Sequence, residues 1–504
     1  MSRNLKTLLA DSGIPAPPGA DTVAINALCY DSRRATAGSL FFALPGARAD
    51  GAKFAADAES RGAAAIVSAT PVAGSRVPVA LVPDARIAMA GIARAFYGDP
   101  SANLRCVGIT GTNGKTTTAF LVKHLLDSAR LRCGLLGTIR YVVGEEILPA
   151  THTTPESADV QDLLARMAAS ADRAVAMEVS SHALVQQRVS GIEWDAAVFT
   201  NLTQDHLDYH GTMDAYFNAK AMLFDMMFEQ KLKRGKAIVN SDDRYGKFLL
   251  ERFPKAVKPV TYGLGVGADF RAVDPRSDIH GTQYQLHAKG RQYLVRLPLI
   301  GRFNVYNSLA ALAAVASMGL ELRAAVQAIA DAPQVPGRLE RVPARRNFTV
   351  YVDYAHTDDA LTNVLSTLRD LRPRQLLVVF GCGGDRDRAK RPLMARAAAQ
   401  LADYTIVTSD NPRSEYPEDI IADILPGLHG KAFETITDRK DAIYHAIALA
   451  EAGDIVLIAG KGHETYQEIK GVRTSFDDVS VARNAIQAKP VEIEPPAGTA
   501  RHDE

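Results

Sequence analysis

The chain has 504 residues, too many for one compact core, which sets an expectation of about three domains. Apolar residues make up 47% and charged residues 23%, the balance of an ordinary globular protein. With 58 basic against 57 acidic side chains the formal charge is +1, so no global field recruits nucleic acid or an anionic membrane, and neither is expected as a partner.

Cys29, Cys106, Cys133 and Cys382 lie far apart, without metal-ligand spacing or a dense disulfide pattern, and read as buried free thiols. The start, "MSRNLKTLLADSGIPAPPG", has neither a long apolar stretch nor a small-residue cleavage site. No window reaches the ~18 uninterrupted apolar residues of a membrane span. A cytoplasmic location is expected.

Residues 1–100 alternate short apolar runs, "LFFAL", "AAAIVSA" and "VPVALVP", with Ala-rich helical stretches such as "ARIAMAGIARAFYG", which predicts a small α/β domain. "GDPSANL" carries Pro, Ser and Asn between periodic segments and marks the first boundary. "RCVGIT" then reads as a buried strand feeding "GTNGKTT", and "KTTTAFLVKHLLDSA" as a helix with Phe120, Leu121, Leu125 and Leu126 on its apolar stripe. Strands "AVAMEVS" and "AAVFTNL" and a helix "MDAYFNAKAMLFDMMF" follow. "TQYQLHAKGRQYLVRLPL" nearly alternates, which suggests a local antiparallel excursion before the helix "NVYNSLAALAAVASMG".

"ADAPQVPGRLERV" is the second linker candidate and closes a central domain over residues 101–336. From 337 to 488 the strands "NFTVYVDYA", "QLLVVFG", "YTIVTSD" and "DIVLIAG" alternate strictly with helical segments. That order implies a Rossmann-like, doubly wound, mostly parallel sheet. The Pro-rich, charged tail over residues 489–504 is expected to be disordered.

The chemistry gathers around the glycine loop. The common phosphate loop reads G-x-x-x-x-G-K-[ST], whereas here Ile109 stands in the first glycine's place, with Gly108 and Gly111 on either side. A phosphate cradle needs backbone N–H groups that converge beside a helix N-terminus, not one fixed spacing. Lys115 can reach the β/γ-phosphates of a nucleotide, and the Thr116 hydroxyl can hold Mg²⁺. Oxygen and nitrogen ligands should come from neighbouring strand ends, where "AMEVSSH" places Glu178 and "NLTQDHLDYHG" places Asp205, His206, Asp208 and His210. Alone, His206 would read as a structural histidine; beside Glu178 and the loop it reads as a ligand.

The segments "GTNGKTT", "EVSSH", "NLTQDHLDYHG", "AYFNAKAMLF", "GRFNVYN", "PGRLERV" and "DYAHT" together resemble the Mur ligases, ATP-dependent amide-forming enzymes of peptidoglycan precursor synthesis. The family's loop is G-x-x-G-x-N-G-K-[ST], so the displaced glycines and Asn113 are its own pattern. "CYDSRRATAGSLFFALPGARADG" is similar to the uridine-contacting segment of the family's N-terminal UDP-binding domain. Asp410-Asn411-Pro412-Arg413 is similar to the tetrapeptide of those members that add meso-diaminopimelate to UDP-N-acetylmuramoyl-L-alanyl-D-glutamate.

The resemblance implies an α/β protein of three domains: a small UDP-binding domain, a central P-loop ATPase domain with a parallel sheet, and a C-terminal Rossmann-like acceptor domain. It implies ATP contacts from Gly111, Thr112, Asn113, Gly114, Lys115, Thr116, Thr117, Asn304, Arg338 and Asp353, with Mg²⁺ held by Thr116, Glu178, His206 and a carbamylated Lys220. An unmodified lysine, pKa about 10.4, would repel a metal, whereas its carbamate is an anion with oxygen ligands. Tyr30, Ser32, Ala47, Arg48 and Ala49 are implied at the uridine end, and His152, Thr153, Thr154, Ser180, Gln186 and Arg188 at the muramoyl-dipeptide end. Arg386, Asp410, Asn411, Pro412, Arg413, Gly460 and Glu464 are implied around diaminopimelate, with Arg386 and Arg413 gripping carboxylates and Asp410 and Glu464 receiving ammonium. The proteins of this pattern are expected to act as monomers.

Two positions depart from it: Asp358 replaces the usual proline of "DYAHTDDAL", and His152 stands where asparagine is common. Lysine-adding Mur ligases and folylpolyglutamate synthases are the nearest alternatives, the latter beginning close to their phosphate loop. A nucleotide-gated scaffold is the alternative from another class. Lys115, Glu178, His206 and Lys220 together favour chemistry over it.

Overall fold

The computed structural model describes residues 2–46, 50–344 and 346–489. They form two compact units. The first runs up to Arg276 and adds Gln283–Leu297 and Phe303–Pro333; the second holds Ser277–Thr282, Pro298–Arg302 and the chain from Gln334 onward. The expected tail lies outside the described residues except for Lys489.

The first unit begins with a four-stranded parallel sheet in chain order, Ala27–Cys29, Ser39–Ala43, Ala63–Ser68 and Val79–Leu81. The helix Ala85–Tyr97 starts where Asp84 accepts from the N–H groups of Arg86 and Ile87, and stops at Gly98 with φ +75°. Met89, Ile92, Ala93 and Phe96 recur at helical spacing and pack on Leu40, Phe42 and Val67. Fully burying a Leu, Ile, Phe or Met contributes about 1.5–3 kcal/mol, which is what fixes that helix on the sheet. "GDPSANL" forms the 3₁₀ turn Pro100–Asn103 with Ser101 buried. Ala158 of the next region packs into the same core, so this sheet and the larger one share a unit.

The larger sheet has eleven strands, in the spatial order Glu146–Pro149, Arg140–Val143, Cys133–Leu136, Ala174–Glu178, Arg105–Thr110, Ala196–Phe199, Lys236–Asn240, Val260–Gly263, Phe270–Asp278, Gly281–Ala288 and Arg291–Leu297. Its middle is parallel, with Glu178 opposite Ile109 and Phe199 opposite Thr110. Strand order reverses about Arg105–Thr110, which leaves a crevice at the strands' C-terminal ends, where ligands of open α/β sheets bind. The alternating segment is the closing hairpin: Thr282, Tyr284, Leu286 and Ala288 are buried in turn, and Lys289 and Gly290, both at positive φ, make its two-residue turn.

The second unit holds a six-stranded sheet ordered Glu340–Val342, Thr349–Asp353, Ile455–Ala459, Leu376–Phe380, Tyr404–Val407 and Phe433–Thr435. All neighbours are parallel except the first pair. Strands and helices alternate along the chain as the sequence predicts, and Val350, Val352, Val379, Ile406, Val456 and Ile458 form the core beneath Ile443, Ala446 and Ile447. A separate hairpin pairs Tyr466–Ile469 with Val472–Ser475. No described helix is long and apolar enough to cross a membrane.

Candidate active site

The strand Arg105–Thr110 delivers the chain into the glycine loop, and the helix Lys115–Ser128 leaves it. Gly114 caps that helix at φ +85°, a conformation side-chain-bearing residues avoid, and a Cβ there would run into Asn307 Oδ1. The loop is fastened from the next strand end. Asn201 Oδ1 accepts from the Asn113 N–H at 2.9 Å, Asn201 O accepts from the Thr112 N–H at 2.9 Å, and Thr200 Oγ1 donates to Asn113 O at 2.7 Å. Behind the first helical turn, where Thr117 is buried, Thr118 Oγ1 donates to Asn307 Oδ1 at 3.4 Å and Asn307 Nδ2 donates to Asn304 Oδ1 at 2.9 Å.

Two amines meet at one carbonyl of this loop. Lys115 Nζ donates to Gly111 O at 2.9 Å and to Thr112 O at 2.7 Å, while Lys220 Nζ donates to Gly111 O at 2.7 Å. Lys220, on the helix Met213–Glu229, is only 1% exposed. Burial, with the Lys115 charge added, holds its pKa well below the ordinary lysine value. The Tyr216 ring lies 4.5 Å from its Nζ, and Tyr216 Oη is 3.2 Å from Thr112 Oγ1. His206 stands at φ +53° with its ring 5.0 Å from His182 and 6.1 Å from Tyr216. Burial lowers its pKa, opposed by Asp205 and helped by Lys115 and Lys220, so the three side chains share one electrostatic neighbourhood. Burial and the neighbouring His206 and His210 likewise pull His182 down to about 4.

Glu178, 1% exposed at its strand end, accepts from Thr116 Oγ1 at 2.9 Å, from the Thr138 N–H at 2.9 Å and from Thr138 Oγ1 at 3.1 Å. These are hard oxygen donors of the kind Mg²⁺ prefers. Among the described residues no three His, Cys, Asp or Glu side chains cluster to hold a metal, so hydroxyl and carboxylate oxygens are the donors on offer beside the loop.

The residues implied at the dipeptide end come together around Glu178. Thr154 Oγ1 donates to Glu178 O at 2.8 Å and accepts from the Ser180 N–H at 3.1 Å, and Thr153 Oγ1 lies 3.0 Å from Thr138 Oγ1. Arg188 donates to Thr154 O at 2.9 Å and Gln186 Oε1 at 2.8 Å, and pairs with Glu156 at 3.0 Å. The His152 carbonyl accepts from Tyr141 Oη at 2.6 Å. Glu156 also pairs with Arg86 at 2.8 Å, and Asp159, in the first turn of the helix Ser157–Ala169, accepts from Tyr30 Oη. One helix start thereby ties the loop sheet to Tyr30 and its neighbour, the buried Ser32. Ala47, Arg48 and Ala49 lie outside the described residues.

In the second unit Asp353 ends its strand with Oδ2 accepting from the Leu339 N–H at 2.6 Å and Oδ1 from the Ala355 N–H at 2.8 Å. Burial pushes its pKa up, against the Arg338 charge. The Arg338 guanidinium lies 4.8 Å from the Tyr354 ring centroid.

Asp410, Asn411, Pro412 and Arg413 form a turn after the strand Tyr404–Val407, with Arg413 at φ +53° and its Nη1 donating to Gly384 O at 2.6 Å. Gly460, at φ +116°, has no room for a side chain against Asp410 Oδ2. Asn411 Nδ2 donates to Glu464 Oε2 at 2.7 Å, which brings Glu464 to the turn. Arg386 is exposed and donates to Asp385 O at 3.4 Å. The fully buried Arg439 pairs with Asp478 at 2.7 Å and donates to Ser409 O at 3.3 Å and Ala459 O at 3.0 Å, joining the two strand ends that carry Asp410 and Gly460.

Sequence reasoning missed Thr138, Glu156, Thr200, Asn201, Asn307 and Lys461. Asn201, Asn307 and Thr200 lie inside the quoted segments "NLTQDHLDYHG", "GRFNVYN" and "AAVFTNL", the signal that could have found them. Thr138, Glu156 and Lys461 stand outside the segments singled out above.

Comparison with known proteins bears on the family and the fold. The Mur ligase family, catalytic domain, matches residues 24–97; the Mur ligase middle domain matches 109–315; and the Mur ligase, glutamate ligase domain, matches 337–462. The chain is 48% identical over 469 residues to UDP-N-acetylmuramoyl-L-alanyl-D-glutamate–2,6-diaminopimelate ligase of Geobacillus kaustophilus, covering 92% of this chain and 95% of that one. A solved structure of a ligase of the same name is 38% identical, with a TM-score of 0.71 over 97% of this chain and 99% of that one. Mycobacterium tuberculosis folylpolyglutamate synthase, solved with ADP and AMPPCP, shares the fold at 20% identity and a TM-score of 0.62, over 80% of this chain and 96% of that one. By motif order, fold and matched length, this chain belongs to the Mur ligase family.

Proposed function

We propose that the chain joins meso-2,6-diaminopimelate to UDP-N-acetylmuramoyl-L-alanyl-D-glutamate, with ATP consumed, in the synthesis of peptidoglycan precursors. The observation that carries this reading is the convergence of the Lys115 and Lys220 amines on the Gly111 carbonyl, at a helix N-terminus and within one neighbourhood with Thr116 and Glu178. The Lys115 charge and the loop's N–H donors suit a triphosphate, whose oxygens would take over the bonds Lys115 now makes to the loop's own carbonyls. The relatives at 48% and 38% identity carry this activity in their names.

A carboxylate is a poor electrophile. The γ-phosphoryl group of ATP moves to the D-glutamate side-chain carboxylate, giving ADP and an acyl phosphate, and the neutral amine of diaminopimelate attacks the acyl carbon and expels phosphate. Catalysis is then mainly positioning and charge neutralisation. Lys115 neutralises the β/γ-phosphates, and the Asn304 side, Arg338 and Asp353 contact the rest of the nucleotide. Mg²⁺, held by Thr116, Glu178, His206 and Lys220 as its carbamate, would neutralise phosphate charge when bound. The depressed pKa of Lys220 favours the neutral amine that carbon dioxide needs, its carbamate forming with release of a proton. Thr153, Thr154, Ser180, Gln186 and Arg188 hold the muramoyl dipeptide, and Tyr30 and Ser32 the uridine end. Arg413 and Arg386 take acceptor carboxylates, and Glu464 and Asp410 an ammonium. We place the protein in the cytoplasm as a monomer, with domains over residues 1–100, 101–336 and 337–488.

The test incubates the protein with Mg-ATP and the UDP-muramoyl dipeptide, adds meso-diaminopimelate or lysine, and follows phosphate release. Release with diaminopimelate is the expected result. Release with lysine alone would assign the lysine-adding activity, and absence of both ADP and the tripeptide nucleotide would overturn the reading.

A further inference from the structure

We infer that Lys461 is a positioning residue that sets acceptor preference, by fixing Asn411 and Glu464 in the turn that presents Arg413; this rests on the acceptor site proposed above. Lys461 is fully buried, and its Nζ donates to Asn411 Oδ1 at 3.0 Å and to Glu464 Oε2 at 3.1 Å. A buried ammonium is costly unless its partners are organised around it.

An ammonium can only donate, so together with a backbone N–H it sets how the Asn411 carboxamide stands. Oδ1 must face Lys461, and there it also accepts from the Glu468 N–H at 3.0 Å. Nδ2 is thereby turned onto Glu464 Oε2, at 2.7 Å. Both bonds to Glu464 fall on Oε2, so an incoming ammonium meets Oε1. The same strand residue, Glu468, accepts from the Arg413 N–H at 3.0 Å, and Arg413 O accepts from the Lys470 N–H at 2.6 Å. Gln467 Nε2 donates to Asp410 O at 2.8 Å. The Lys461 charge therefore fixes two features at once: the carboxylate that receives an ammonium and the turn whose arginine grips a carboxylate. Lysine as acceptor offers the ammonium but lacks the distal carboxylate, so the relation between these two features decides between the acceptors.

The test compares the intact protein with Lys461→Met and Lys461→Gln, measuring KM for ATP, UDP-muramoyl dipeptide, meso-diaminopimelate and lysine, with melting temperatures taken alongside. Methionine leaves Asn411 Oδ1 with the Glu468 N–H as its one remaining donor and leaves Glu464 without its cation. Lys461→Met is expected to raise KM for diaminopimelate at least tenfold, to leave KM for ATP and the dipeptide within twofold, and to lower the diaminopimelate-to-lysine ratio of kcat/KM at least tenfold. Lys461→Gln keeps a donor for Asn411 without the charge and is expected to give an intermediate ratio; it decides the matter if the methionine variant fails to fold. An unchanged acceptor ratio in the folded variants, or an equal rise in all KM values, overturns the inference. If the unaltered protein does not use diaminopimelate, the proposed function fails instead, whatever the variants do.

Discussion

Glu178→Gln separates the structural role of the buried carboxylate from its chemical one. The carboxylate accepts three hydrogen bonds, from Thr116 Oγ1, the Thr138 N–H and Thr138 Oγ1. A glutamine can satisfy all three partners: its oxygen faces the Thr138 N–H, and its amide nitrogen donates to the two hydroxyls, which rotate to accept. Bonds to a charged acceptor contribute about 1.5–3 kcal/mol and neutral ones about 0.5–1.5 kcal/mol, so the exchange loses about 3–5 kcal/mol over the three. Against this, a desolvation cost of several kcal/mol borne by a carboxylate 1% exposed disappears. The two nearly cancel, so the melting temperature without nucleotide is expected to stay within about 4 °C of the parent. Turnover, which needs negative oxygen at that point, is expected to fall about 10³-fold or more, equivalent to about 4 kcal/mol of transition-state stabilisation. Differential scanning calorimetry and a coupled ADP assay on one preparation measure both. A folded variant within tenfold of parental turnover would refute the assignment of Glu178 to charge neutralisation.

Arg413→Ala is expected to raise KM for diaminopimelate far more than KM for ATP in steady-state assays; equal effects would remove Arg413 from the acceptor pocket. Lys220→Ala is expected to lose turnover and to regain part of it with a small exogenous carboxylic acid, and full activity without the acid would exclude the carbamate role. Glu415 grips the buried Arg391 guanidinium at 2.7 and 2.9 Å, and that pairing lowers its pKa from 4.5 to about 2. Its folded value lies below its unfolded one, so the stabilisation is complete above about pH 4.5 and is lost as the pH falls towards 2. Melting temperatures of Glu415→Gln should therefore decline less steeply than the parent's across that window; parallel curves would show that the pair does not govern acid stability.

How much of the site the sequence discloses depends on how local each contact is. Strand, loop and helix around "GTNGKTT" were legible because apolar periodicity and a short motif stand side by side, and Glu178 because it ends an apolar run. The residues that fasten these pieces were not. Asn201 holds Asn113 from 88 positions away, and Thr138 reaches Glu178 across 40. Thr and Asn are common in loops for local reasons, so residue type by itself does not mark them as tertiary partners. Glu156 shows the same limit at larger scale. It reads as an ordinary helix-start residue, yet by pairing with both Arg86 and Arg188 it joins the first sheet to the second within one unit.

At both departures from the family pattern the local backbone is held by other means. Asp358 is the first residue of the helix Asp358–Asp370, behind the cap made by Thr357, whose Oγ1 accepts from the Ala360 N–H at 3.3 Å. Proline is favoured at that position because its missing N–H would have no helical partner, but an aspartate there faces the positive end of the helix dipole, worth about 0.3–1 kcal/mol. One favourable device replaces another, and the turn after Asp353 is kept. At His152 the backbone, not the side chain, is held: its N–H donates to Tyr141 Oη at 3.1 Å, and its carbonyl accepts from the same hydroxyl at 2.6 Å. Tyr141 thereby holds the path into Thr153 and Thr154 through the backbone of residue 152 and not its side chain, and the two threonines meet Thr138 and Glu178 with histidine in place.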